Sequence, residues 1–164
     1  MQNLNVEHLR KIQKAMRENK IEFVDGQAML KGEEPPESPH TKLSSFIQNE
    51  RNASIFYNYL STIAPNTQSE KFLKDISARA LERAEVLNGI FFEQTKTKSP
   101  VKESEINTSI RFSEGVSWAI QVENESLLEM INFLEESPDL GDRYKSFNGI
   151  IQKKIIDINF LHLL

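Results

Sequence analysis

From Lys42 onward, apolar residues recur at three- and four-residue intervals, the spacing of one face of an α-helix. The pattern predicts four long helices, near residues 42–64, 68–94, 112–136 and 140–163. Pro65 follows the first and Pro138 the third, each where a helix is expected to stop. Between the second and third lies Thr95 to Ser104, a polar stretch rich in Lys, Thr and Ser with Pro100 inside it. That stretch is long enough to cross a bundle, so the expectation is two helix hairpins joined by a crossover. Upstream the pattern is weaker. Leu4, Leu9, Ile12 and Met16 fit a short amphipathic helix, and Asp25-Gly26 between two small apolar runs in Ile21 to Leu30 suggests a β-hairpin. Pro35, Pro36 and Pro39, within Gly32 to His40, read as a linker or turn. The expected division is an extension over residues 1–41 and a bundle over 42–164.

Composition narrows the function classes. A chain of 164 residues is long enough for one domain with a core that needs no staples. It has no cysteine, which excludes disulfides, thiolate metal sites and thiol chemistry. Net charge is −4 with both signs interspersed and no basic stripe, which argues against nucleic acid. The longest apolar runs, Ile155-Ile156 and Phe160 to Leu164, fall far short of the ~20 residues of a membrane span. Met1-Gln2-Asn3-Leu4 has no basic-then-apolar signal pattern, so a cytoplasmic protein is expected.

The two predicted hairpins look alike. Ile47-Gln48-Asn49-Glu50 matches Ile120-Gln121-Val122-Glu123 at an offset of 73, and Pro65 matches Pro138 at the same offset. The stretch from Phe46 to Tyr57 places Ala53 three residues and Tyr57 seven residues after Glu50. In this it resembles the first bundle helix of rubrerythrin-like and other ferritin-like proteins. Phe72 to Ile76, with Ala84, resembles their second helix. The resemblance covers residues 42–164 and implies an all-α, ferritin-like four-helix bundle preceded by a short N-terminal extension. It also implies bacterial relatives that pair through helix faces, hence a homodimer. In the family, two iron or manganese ions are held by one Glu from each of two helices and a Glu-x-x-His from each of the other two.

A helical wheel at 100° per residue tests whether that ligand set survives. In the first helix Phe46, Ala53, Tyr57, Leu60 and Ala64 form the inward stripe, with Glu50 beside its centre. In the third, Ala119, Val122, Ser126, Met130 and Phe133 define the apolar face. Glu123 and Glu129 flank it, and Glu125 falls outside. The second helix faces inward through Phe72, Leu73, Ile76, Leu87, Ile90 and Phe91. The slots for Glu and His there hold Ala80 and Arg83, while Glu82 and Glu85 point away. In the fourth, Phe147, Ile151, Ile158 and Leu161 set the stripe, Lys154 points in and Asp157 lies at the edge. Neither Glu-x-x-His is present. Glu50, Glu123 and Asp157 are the remnant metal candidates, and Arg83 and Lys154 would repel a metal.

Two inward carboxylates must be neutralised by protons, metals or cationic side chains. The expected arrangement is a buried ion-pair cluster in which Arg83 pairs with Glu50 or Glu123 and Lys154 with the other. No other catalytic pattern emerges. His8, His40 and His162 are scattered, with His162 expected to pack on the last helix and Trp118 in the core. No Gly-x-Ser-x-Gly elbow, phosphate loop or dinucleotide fingerprint is present. The expected function is therefore a non-catalytic bundle serving as a structural or interaction module, without a cofactor. The competing reading is an oxidoreductase or metal-storage protein that holds iron or manganese in an altered carboxylate site.

Overall fold

A computed structural model of the chain describes residues 21–24, 27–30, 39–102, 108–137 and 140–164. It separates into two compact units, residues 1–37 and 38–164. In the first, β1 (Ile21–Val24) pairs antiparallel with β2 (Gln27–Leu30), Val24 opposite Gln27 and Ile21 opposite Leu30. The two strands are the apolar runs expected to pair on either side of Asp25-Gly26, which itself lies outside the described residues. The helix expected around Leu4 to Met16, His8 and most of the proline-rich stretch lie outside the described residues.

The second unit is an all-α bundle of four helices, α1 (Pro39–Thr62), α2 (Thr67–Thr95), α3 (Phe112–Glu136) and α4 (Arg143–Leu161). Two starts are displaced by three residues: α4 begins at Arg143 instead of 140, and α1 begins at Pro39 instead of 42. Pro39 opens the helix instead of belonging to a linker, because a first-turn residue needs no N–H donor and proline's fixed φ suits that position. His40 is therefore helical, with its ring edge-to-face to Phe91. Helix α2 begins at an Asn66 cap, whose side-chain oxygen accepts a hydrogen bond from Ser69 N at 2.9 Å. It ends at Lys96, a left-handed residue (φ 60°) whose N–H bonds to Phe92 O. Pro138, the expected stop for α3, lies outside the described residues, and the helix ends at Glu136.

Helices α1 and α2 form one hairpin and α3 and α4 the other. Cross-helix contacts fix the directions. Glu50 meets Arg83 and Ser54 meets Ser77, so α1 and α2 are antiparallel. Phe46 packs on Phe133 and Phe56 on Trp118, so α1 and α3 are antiparallel as well. The connection after α2 runs beside α1. Ser99 bonds to Ser44, Lys102 N to Gln48 Oε1, and the carbonyl of Thr108 accepts from Tyr59 Oη. It thus traverses most of the bundle's length before α3 starts.

The interior is layered. At one end Leu43, Phe46, Leu87, Met130, Phe133 and Phe147 pack with their neighbours into an apolar cluster. At the other, Phe56, Leu60, Leu73, Ile76, Val116 and Leu161 form a second. Gly115 lets α3 close on α1 there, since a Cβ at that position would come within 2.5 Å of Leu60 Cδ2. Between the two clusters sits a layer of charge.

Candidate functional site: a buried chain of alternating charges

Every helix contributes to the middle layer. Glu50 and Tyr57 lie seven residues apart on one face of α1, and Arg79 and Arg83 lie four apart on α2. Glu123 comes from α3, and Lys154 and Asp157, three apart, from α4. Glu50, Arg83 and Lys154 are 2 % exposed or less. The helices bury them because the stripes on either side are apolar, so each charged position is carried inward by its neighbours' packing.

The groups form a chain of alternating sign. Tyr57 Oη donates to Glu123 Oε1 at 2.7 Å. The Lys154 ammonium makes an ion pair with Glu123 Oε2 and donates to Glu50 Oε1 at 2.7 Å. Arg83 then bridges the two sides, Nε to Glu50 Oε2 at 2.8 Å and Nη1 to Asp157 Oδ2 at 2.6 Å. Arg79 completes it through Asp157 Oδ1 at 2.8 Å. The three carboxylates present six oxygens, and all six are engaged. Three cations face three anions, so the layer is balanced. Charge-assisted bonds of this length are among the stronger polar contacts in proteins, and the balance is what makes their burial tolerable.

The layer's proton affinities follow from this geometry. Burial alone lowers the pKa of Lys154, but the charges of Glu50 and Glu123 and the hydrogen bonds to both outweigh it and leave it above the ordinary lysine value. Arg83 behaves alike: burial lowers its pKa, and Glu50 and Asp157 raise it further than burial lowers it. Burial raises the Tyr57 phenol well above its usual value, reinforced by Glu123 and Glu50 and partly opposed by Arg83. All three protons are held more tightly than in water. None of these groups is moved toward neutrality, where a general acid or base would be poised.

The structure thus brings together Glu50, Arg83, Glu123 and Lys154, with Lys154 meeting both glutamates. Asp157, expected at the edge of its helix, is buried and holds two arginines. The sequence signal for Arg79 is its i, i+4 spacing to Arg83, which does not by itself show that it turns inward; Tyr57 is visible as a pattern residue but not as a donor. Glu82, Glu85 and Glu125 are exposed, as the wheel requires, and Glu129 is exposed as well. Two other expectations fail. His162 is exposed because it follows the last full helical turn instead of packing on it, and Trp118 is 50 % exposed at the edge of a cleft.

A metal does not fit the layer. The ammonium of Lys154 and the guanidinium of Arg83 already hold the oxygens of the remnant set Glu50, Glu123 and Asp157. Among the described residues, no group of three or more His, Cys, Asp or Glu side chains is placed to hold a metal ion. Nor is any helix among them long and apolar enough to cross a membrane. Comparison with the profiles of known families, with curated proteins and with solved structures finds no match to this chain; what can be stated of its class is a four-helix, all-α bundle with a charged middle layer.

Proposed function

We propose that this protein is a non-catalytic bundle of ferritin-like descent, in which side-chain cations stand where related proteins hold metal ions, and that it serves as a structural or interaction module. The observation that carries this reading is the complete engagement of the six carboxylate oxygens by Tyr57, Lys154, Arg83 and Arg79. A carboxylate can bind a metal only with oxygens free to coordinate it, and displacing these cations would leave them buried and unpaired. The antiparallel hairpins and the long connection beside α1 support the ferritin-like part of the proposal.

Exposed apolar side chains support the interaction role. Leu81, Val86 and Phe92 stand out from α2, and Ile156 and Phe160 from α4. Pairing of two copies through such helix faces is the partner arrangement this reading favours.

Elemental analysis tests the reading. Protein purified after incubation with Fe(II) or Mn(II) and desalted is expected to carry substoichiometric metal. One or more tightly bound iron or manganese ions per chain would overturn it in favour of an altered-site metalloprotein.

A further inference from the structure

The charged layer reaches the surface through a cleft between α1 and α3 of about 200 Å³. It exists because the facing residues are short. Ala53 of α1 and Ala119 and Ser126 of α3 leave room that larger side chains would fill. Its walls toward one end are aromatic: Phe56 and Trp118 meet edge to face with ring centroids 4.8 Å apart. Its other end carries the exposed carboxylates Glu125 and Glu129, four residues apart on α3. The floor is Tyr57, Glu123, Ser126 and Lys154.

Two features indicate that the cleft takes a ligand. Ser126 is 6 % exposed and lines the cleft, yet its Oγ has no hydrogen-bond partner among the described residues. A buried hydroxyl left unpaired is uncommon, because its desolvation is then uncompensated. The charge of the lining is also lopsided. Among the described residues its single lining cation, Lys154, is consumed by Glu50 and Glu123, which leaves Glu125 and Glu129 as the net field of the cleft. Glu125 accepts from the neutral amide of Gln121, at 3.1 Å, and from no cation among the described residues.

We propose that this cleft binds a small organic ammonium ion with an aromatic or apolar body. The ammonium would sit at Glu125 and Glu129, and the body would lie along Val122 toward Phe56 and Trp118. From Glu125 to Trp118 is seven residues, about 10 Å along the helix axis, which suits an arylalkylamine lying lengthwise. The aromatic walls favour the body of such a ligand through apolar and ring–ring contact. Ser126 Oγ lies between Glu125 and Glu129 in height along α3, so it is placed to accept from the ammonium. A carboxylate ligand is disfavoured by the same acids that attract the amine. The inference does not depend on the metal-free reading of the charged layer, since that layer is already neutral without the ligand.

Trp118 is the single tryptophan of the chain, so intrinsic fluorescence reports directly on the cleft. Titration with 2-phenylethylammonium chloride is expected to give a saturable change, confirmed by calorimetry. Binding of 2-phenylethanol should be about tenfold weaker, the loss of one charge interaction, and 3-phenylpropanoate should give no saturable change. Glu125→Gln with Glu129→Gln alters two exposed positions. It should leave helical circular dichroism unchanged and bring the ammonium down to the affinity of the alcohol. Ser126→Leu, which fills the floor, should abolish binding of both. Equal affinity for the ammonium and the carboxylate, no saturable response to the ammonium, or undiminished binding in the double Gln variant would each overturn the proposal.

Discussion

The two ends of the bundle and its middle are buried to the same degree and held by different physics. At the ends, Phe46, Phe133 and Phe147 or Leu60, Leu73 and Leu161 contribute through apolar area and close packing, which are non-directional. In the middle, Glu50, Arg83, Glu123, Lys154 and Asp157 contribute little net energy as a set, because desolvation roughly cancels attraction. Each is nevertheless indispensable to the others. The apolar layers should tolerate a change of shape that preserves volume, whereas the charged layer should not tolerate a change of charge even when shape is preserved.

The sharpest contrast uses near-isosteric substitutions. Glu50→Gln keeps the side chain's volume but strips the carboxylate that both Lys154 and Arg83 use. It is expected to destabilise by about 3–5 kcal/mol in a urea titration, the cost of breaking a buried pair by one partner. Leu87→Met, a comparable change in the apolar layer, should cost less than about 1.5 kcal/mol. Comparable losses from the two would remove the distinction between the layers.

Alkaline pH probes the same layer without mutation. Lys154 is faced by Glu50 from α1 and Glu123 from α3; Tyr57 bonds to that Glu123, and Arg83 links Glu50 to Asp157. Tyr57, Lys154 and Arg83 all have raised pKa values when folded. Each therefore contributes stability that is fully present below its unfolded pKa and is lost as pH rises through the folded one. The urea midpoint is expected to fall above about pH 10, where tyrosine and lysine ordinarily ionise. Tyr57→Phe, which deletes one of the three, should make that fall shallower. An alkaline limb unchanged in Tyr57→Phe would show that the phenol is not coupled to the layer.

Smaller effects belong to the helix ends, away from both layers. Asn66→Ala, which removes the cap on Ser69 N, is expected to cost about 1 kcal/mol. Lys96→Gly should stabilise by up to about 1 kcal/mol, because glycine takes the left-handed conformation without a Cβ penalty. Thermal or urea denaturation reads both.

The helices were legible in the sequence because their apolar stripes are long and regular, so their ends shift by only a few residues from expectation. Pro39 misled for a definite reason. A proline cluster suggests a turn, yet the last proline of the cluster is also the residue best suited to begin a helix. The inward direction of Glu50, Arg83, Glu123 and Lys154 follows from the wheel alone. Their partners do not, since the wheel gives direction but neither reach nor height. Arg79 shows this: a long side chain on a flank can bend into a layer that its Cβ does not face, and it reaches Asp157 there. Trp118 was misplaced by the opposite error. Its spacing is helical, but small residues beside it open a cleft instead of a sealed core.

Cations and acids in the middle layer are needed by each other and not by the fold as such. A double-mutant comparison tests it most directly, with unfolding free energies measured for Lys154→Met, Glu123→Leu and the two combined. Lys154→Met alone leaves Glu123 with only Tyr57, and is expected to lose about 3–5 kcal/mol. Removing Glu123 as well should restore much of that loss, because no buried acid is then left without its cation. A double variant less stable than Lys154→Met, with the single losses simply adding, would contradict the account.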